Sequence, residues 1–238
     1  MASVVEAIIL AGGRGTRLSS VVPDLPKPMA PICGKPFLDY LLQRLAAQGI
    51  SRVCLSVGYL ADKIQNFYGS HFGEIELIYS VENSPLGTGG AMRAALVQTA
   101  ADDVLVLNGD TIAEVDLQRM AAIHRASKRP ITLALIWVPD TARYGAVQIN
   151  NGTVTGFLEK GTTGPGFINA GCYLLKRSLF AQFCLPPSFS FEQEFLTRYL
   201  EELKPAASTS DGYFIDIGVP EDYQRAQIEM CASRPKIV

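Results

Sequence analysis

Long apolar runs are missing from this chain of 238 residues: nothing approaches the roughly 20 consecutive apolar residues that cross a bilayer, and the longest candidates, such as Ile131 to Val138, are strand-sized. No membrane span is expected. The start, Met1-Ala2-Ser3-Val4-Val5-Glu6, lacks a basic segment and its apolar stretch runs into glycines, unlike a secretory signal, so a cytoplasmic location is expected. Cysteine pairs of the C-x-x-C type are also absent. The five cysteines, Cys33, Cys54, Cys172, Cys184 and Cys231, are odd in number and widely spaced, which argues against a disulfide framework or a zinc site and for buried, reduced thiols.

Neither sign of charge is in excess. Lys and Arg number 21 against 23 Asp and Glu, a formal charge of -2, so no global basic field draws nucleic acid and any phosphate binding must be local. Charged residues make up 18%, below the roughly 25% of an average domain, while 48% hydrophobic content supplies a large core, so a compact α/β fold is expected.

Two familiar phosphate loops are missing too. Counting from Gly13 and Gly15, Leu18 stands where a dinucleotide-binding loop needs its third glycine, and Lys35 is followed by Pro36, which excludes a Walker loop.

What is present is a repeated strand-helix alternation. Val4 to Leu10 reads as a central parallel strand feeding Gly12-Gly13-Arg14-Gly15, and Pro36 opens a helix that Gly49 stops. Strands follow at Arg52 to Val57, Glu76 to Val81, Asp103 to Leu107 and Thr132 to Val138. Helices lie between them at Leu60 to Tyr68, Gly89 to Ala100 and, capped by Asp116, up to Ser127. After Pro139 the alternation stops: Ala146 to Ile149 and Thr153 to Phe157 flank Asn150-Asn151-Gly152, a hairpin signal. Phe167 to Leu175 is extended, Phe191 to Leu203 helical, Tyr213 to Ile217 a short strand, and Pro220 to about Cys231 a closing helix.

The chemistry sits in the loops. Gly12, Gly13 and Gly15 follow a strand, so their N–H groups can wrap an anion, although a glycine cluster alone serves equally as a tight turn. Lys27 stands between Pro26 and Pro28, whose restricted backbone can hold its ammonium over the same phosphates, and Arg17 can neutralise a departing pyrophosphate. Asp110 emerges at a strand's carboxyl end, where open α/β sheets bind ligands. Asp216, flanked by Phe214, Ile215 and Ile217, is costly to bury unless it meets a cation. Leu86 to Ala91 is a second glycine-rich approach to a helix, where a flat base can lie against backbone. Glu82 can accept hydrogen bonds from guanine N1–H and N2, a pairing unavailable in uracil or thymine. His71 and His124 fit no motif and read as surface residues.

Gly12-Gly13-Arg14-Gly15-Thr16-Arg17-Leu18 followed by Pro26-Lys27-Pro28 resembles the signature of sugar-1-phosphate nucleotidyltransferases. The resemblance continues in order through Leu86 to Ala91, Asn108-Gly109-Asp110, Glu159-Lys160, Asn169-Ala170-Gly171 and Asp216-Ile217-Gly218. It implies a Rossmann-like three-layer α/β/α, GT-A-like fold with a mixed, mostly parallel central sheet and a small antiparallel sugar-binding portion. It further implies one domain over 1–238, with 1–138 as the nucleotide-binding half and 139–238 as the sugar-phosphate half.

The residues implied at the nucleotide are Leu10, Ala11, Gly12, Gly13, Gly15, Thr16, Arg17, Lys27, Glu82, Leu86, Gly87, Thr88, Asn108 and Gly109. Those at the sugar phosphate are Tyr144, Gly145, Glu159, Lys160, Asn169, Ala170 and Gly171. Arg17, Lys27 and Asp110 are implied as catalytic, and Asp110 with Asp216 as Mg²⁺ ligands. Within the family, Ser20 to Pro28, Ser56-Val57-Gly58-Tyr59 and Ser84 to Ala91 look most like the guanylyltransferases acting on a heptose 1-phosphate, which implies GTP and a role in bacterial surface polysaccharide synthesis. A mannose-1-phosphate guanylyltransferase or a uridylyl- or thymidylyltransferase shares the frame. A glycosyltransferase would be expected to carry Asp-x-Asp, whereas Thr111 and Ile112 follow Asp110, and a noncatalytic regulator would bind NTP without releasing pyrophosphate. Oligomeric state is not fixed, a homodimer being compatible with the sequence.

Overall fold

The apolar runs become the inner strands of one ten-stranded sheet in the computed structural model, which describes residues 4–13, 15, 17, 18 and 21–232. In chain order the elements are β1 (Glu6–Leu10), β2 (Pro31–Ile32), β3 (Lys35–Pro36), α1 (Phe37–Ala47), β4 (Arg52–Val57), α2 (Ala61–Tyr68), β5 (His71–Phe72), β6 (Ile75–Val81), α3 (Gly87–Leu96) and β7 (Asp103–Asn108). There follow β8 (Thr111–Ala113), α4 (Leu117–Ser127), β9 (Ile131–Val138), β10 (Val147–Asn150), β11 (Thr153–Phe157), β12 (Gly166–Lys176), α5 (Leu200–Leu203), β13 (Ala206–Ser210), β14 (Phe214–Asp216) and α6 (Pro220–Ala232).

The large sheet runs β10-β11-β13-β9-β12-β7-β1-β4-β6-β5. Strands β7, β1, β4 and β6 are mutually parallel, as expected of continuous apolar runs joined by helices. Strand β12 is antiparallel to both its neighbours, β7 and β9, which makes the sheet mixed. Because β-strand side chains alternate, Ala7 and Ile9 enter one core while Ile8 enters the other. Helices α1, α2, α4 and α6 cover the first face, and α3 with Phe180, Phe189, Phe191 and Phe195 covers the second, giving three layers.

The hairpin Val147–Asn150/Thr153–Phe157 forms as expected, with Asn151 and Gly152 at φ 48° and 72°, the positive values a two-residue hairpin turn requires. Other expectations need correction. Phe191 to Leu203 is not one helix: a π-helical turn, Phe191–Leu196, precedes the short α5, because five aromatic rings around Phe195 fix where that turn packs. Strand β13, Ala206 to Ser210, carries no apolar alternation and gave no periodic signal, yet it pairs in parallel with β9.

The cysteines also depart from the reading as buried thiols. Cys33 and Cys231 form a disulfide across 198 residues, because the Tyr223 hydroxyl and Gln227 amide both donate to the Pro31 carbonyl and dock α6 on β2. Cys184 is exposed, whereas burial pushes the Cys54 and Cys172 thiols up to about 12. Among the described residues no helix is long and apolar enough to cross a membrane.

Candidate active site

Four parallel strands end on the same side of the sheet, and the segments that leave them line a cleft of about 660 Å³. Ala11, Gly12 and Gly13 follow β1, Gly58 and Tyr59 follow β4, Glu82 to Pro85 follow β6, and Gly109 and Asp110 follow β7. Ligands of open α/β sheets bind at this edge. Leu10, Gly15, Arg17, Lys27, Gly87, Thr88 and Asn108 complete the part expected from the sequence. Leu86 lies beside the cleft, its N–H donating to Glu82 Oε2 at 3.2 Å, and Thr16 lies outside the described residues.

Lys27, Asp110 and Asp216 are brought together by local geometry. Pro26, at φ -64°, delivers the chain into a 3-10 turn over Lys27–Met29, which leaves the Lys27 side chain 11% exposed and in an ion pair with Asp110. Asp110 is anchored from two sides: Gly109 N–H donates to Leu10 O at 2.9 Å, and Ile217 N–H donates to Asp110 O at 2.9 Å. The small ladder of β14 with β8, pairing Asp216 with Thr111, carries the second carboxylate to the first. Burial, then the charge of Asp110, pushes the Asp216 carboxyl up, with Lys27 pulling the other way. Two carboxylates thus stand close together beside the Lys27 ammonium, hard oxygen donors of the kind that suit Mg²⁺ once phosphate oxygens and water fill the remaining positions.

Glu82 is already engaged. Ser56 Oγ donates to its Oε1 at 3.4 Å and Leu86 N–H to its Oε2, so the carboxylate organises the loop as well as offering lone pairs to a ligand. The sequence reading missed Pro28, Gly58, Tyr59, Asn83, Ser84, Pro85, Ala91 and Gly218, which also line the cleft. The carboxyl-end rule already used for Asp110 could have found Gly58 and Tyr59, since they leave β4 as Asp110 leaves β7.

The residues assigned to the sugar phosphate do not line this cleft. Tyr144 packs edge-on against Phe214 at 5.4 Å, beneath the guanidinium of Arg143, which is paired with Asp222. Glu159 and Lys160 are exposed, while Gly145 is pressed against the Leu158 carbonyl. Ala170 and Gly171 lie behind the cleft, where Gly171, at φ 64°, abuts Asn108; Asn169 donates to the Tyr173 hydroxyl at 2.8 Å.

A ten-stranded mixed sheet with a glycine loop, a lysine and two aspartates at its carboxyl edge defines the class, and residues 6–233 match the nucleotidyl transferase family: the chain belongs to it. It is 46% identical over 225 residues to the D-glycero-alpha-D-manno-heptose 1-phosphate guanylyltransferase of Aneurinibacillus thermoaerophilus, covering 94% of this chain and 98% of that one. It is 34% identical over 232 residues to the mannose-1-phosphate guanylyltransferase of Mycobacterium tuberculosis, covering 95% of this chain and 64% of that one. The crystal structure of HddC from Yersinia pseudotuberculosis complexed with GMP-PN superposes with a TM-score of 0.82 at 38% identity, covering 95% of this chain and 99% of that one.

Proposed function

We propose that the chain transfers GMP from GTP to a sugar 1-phosphate, foremost D-glycero-α-D-manno-heptose 1-phosphate, releasing pyrophosphate. The observation that carries this reading is the convergence of Lys27, Asp110 and Asp216 beside the Gly12-Gly13 loop, in a chain that matches a heptose 1-phosphate guanylyltransferase over nearly its whole length. The phosphate of a sugar 1-phosphate is largely dianionic at neutral pH, its second pKa being about 6, so its oxygen attacks the α-phosphorus without a general base. Positioning and charge carry the catalysis.

In this reading the glycine-loop amides, Arg17 and Lys27 hold the charge that develops on the pyrophosphate. Lys27 leaves Asp110 for the triphosphate once GTP enters. Asp110 and Asp216 would hold Mg²⁺, which supplies neutralisation of the α-phosphate and aligns it for in-line attack. Glu82 reads the guanine edge; Tyr144, Gly145, Glu159, Lys160, Asn169, Ala170 and Gly171 serve the sugar phosphate. The halves 1–138 and 139–238 then divide the two substrates between them, although β12 of the second half inserts between β7 and β9 of the first. Such a product feeds bacterial surface polysaccharide synthesis, and the cytoplasm is where its substrates would be met.

Pyrophosphate release with Mg²⁺, measured for five NTPs against heptose, mannose, glucose and N-acetylglucosamine 1-phosphates, tests the reading. Release confined to GTP with the heptose phosphate is expected, and release with the mannose phosphate instead would reassign the sugar. In the same assay Lys27→Ala is expected to lose several orders of magnitude in turnover while staying folded, because it removes charge stabilisation and leaves the core intact. Near-normal turnover removes Lys27 from the mechanism.

A further inference from the structure

Behind the cleft a chain of polar side chains runs through the second core, and the reaction scheme above leaves its middle, Tyr173 and Glu192, without a role. Tyr173 is at its centre, 0% exposed, on β12. Its hydroxyl donates to Glu192 Oε1 at 3.0 Å and accepts from Asn169 Nδ2 at 2.8 Å. The other carboxylate oxygen, Glu192 Oε2, accepts from Thr88 Oγ1 at 2.9 Å, and Thr88 Oγ1 in turn accepts from Phe191 N–H at 2.8 Å. Asn169 Oδ1 accepts from Gly171 N–H at 3.0 Å, and Gly171 lies against Asn108. Thr88 and Asn108 both line the cleft, so the chain leaves one wall of it and returns to another.

The directions of the bonds in this chain follow from two kinds of fixed group, the Glu192 carboxylate and the backbone N–H groups of Phe191 and Gly171. A carboxylate only accepts, so Tyr173 must spend its single proton on Glu192 and can then only accept from Asn169. Gly171 N–H, which only donates, takes the Asn169 carbonyl, and the Tyr173 hydroxyl holds one proton of its amino group, so the second amide proton is left to donate. The same carboxylate orients Thr88, whose hydroxyl is fixed by giving its proton to Glu192 while taking one from Phe191. Glu192 itself sits in a π-helical turn, Phe191–Leu196, whose Ser190 cap accepts from Gln193 N–H at 3.2 Å. Turns of this type are rare and recur at functional sites.

We propose that Glu192 is a positioning residue that ties the nucleotide loop to the sugar-phosphate strand: its carboxylate orients Thr88 directly and, through Tyr173, sets Asn169 as a hydrogen-bond donor. This rests on the reading of Thr88 as a nucleotide contact and Asn169 as a sugar-phosphate contact. The two arms separate by substitution. Glu192→Ala removes both acceptor oxygens, so it breaks a bond in each arm. Tyr173→Phe cuts only the arm to Asn169.

Steady-state pyrophosphate release at varied GTP and varied heptose 1-phosphate reads both arms, with circular dichroism and melting curves confirming fold. Tyr173→Phe is expected to raise KM for the sugar phosphate about tenfold with KM for GTP within twofold of wild type. Glu192→Ala is expected to raise both, and the double variant to raise the sugar-phosphate KM no further than the larger single effect, as two cuts in one relay do. A role confined to stability would lower melting temperature and leave this split unmade. Equal effects of Tyr173→Phe on both substrates, or folded variants with both KM values unchanged, overturn the proposal; if Glu192→Ala does not fold, Tyr173→Phe alone decides it. Silence of the wild-type enzyme across the whole substrate grid would instead overturn the parent reading.

Discussion

The two glycine-rich loops at the cleft look alike in sequence and are glycine-rich for different reasons. In the first, a Cβ at Gly12 would stand 2.6 Å from Glu82 Oε1 and Gly15 is at φ 60°, but a Cβ added at Gly13 meets nothing within 4 Å, so at that one position the absence of a side chain leaves space that a ligand can enter. In the second, the space is already filled by protein. A Cβ at Gly87 would stand 2.5 Å from the Phe189 carbonyl oxygen, one at Gly89 2.1 Å from the Phe189 ring, and one at Gly90 2.6 Å from the Pro187 carbonyl oxygen. The segment before the π-helical turn lies directly on α3, hydrogen-bonded through Gly89 N–H to Phe189 O at 2.9 Å and clamped by Arg93, which donates to Pro186 O at 2.9 Å. These glycines therefore admit the neighbouring chain, and the surface that Leu86 to Ala91 offers the cleft is one that Phe189 supports.

Gly89→Ala should break the second loop most severely. Phe189 is 2% exposed and held by Phe180 and Phe195, so its ring has nowhere to retreat, and overpacking of this kind costs about 3 kcal/mol. A urea midpoint equal to wild type would show the contact to be slack. A smaller loss, about 2 kcal/mol, is expected when the Cys33–Cys231 bridge is reduced, since Tyr223 and Gln227 still dock α6 and only the chain-linking constraint disappears. Melting curves with and without a thiol reductant measure it, and an unchanged midpoint means that the bridge contributes nothing. Gly13→Ala sharpens the comparison from the other side: stability should stay within about 0.5 kcal/mol, as at an ordinary surface site, while GTP affinity falls about tenfold because a methyl occupies phosphate space. Calorimetric titration with GTP reads this, and intact affinity would put Gly13 outside the phosphate site.

What the sequence disclosed and what it hid follow a physical divide. Continuous apolar runs gave β1, β4, β7 and β9 to within about two residues, because a strand buried on both faces has no choice of composition. Local order in the chain likewise made Lys27 and Asp110 readable, since each is delivered by a turn written within a few residues of it. Contacts between distant segments left no local trace. Small, polar β13 is buried only by its neighbours, Cys33 finds Cys231 only once α6 docks, and Glu192 meets Thr88 and Tyr173 only when the π-helical turn settles on α3.

His124 is the exception, because its burial was written in the sequence and overlooked. Leu117, Met120, Ala121 and His124 are spaced i, i+3, i+4 and i+7, the inward stripe of α4, and the imidazole is 1% exposed rather than on the surface. Its Nδ1 meets Thr132 Oγ1 at 2.9 Å, and Nε2 lies 3.4 Å from Asp103 Oδ1, which Lys176 also occupies at 2.6 Å. Burial pushes the imidazole pKa below its usual 6.5, with Lys176 and Arg125 adding to the effect and Asp103 opposing it. The unfolded chain therefore binds a proton from about pH 6.5 downward that the folded chain does not yet accept. Stability from this site is complete above that pH and is lost progressively as pH falls toward the lower folded value. Urea midpoints at pH 7.5 and 5.5 should differ more for wild type than for His124→Gln, whatever the substitution costs at neutral pH. Equal differences for the two proteins would mean that His124 stays neutral in neither state alone, and that the acid sensitivity of the fold arises from its carboxylates.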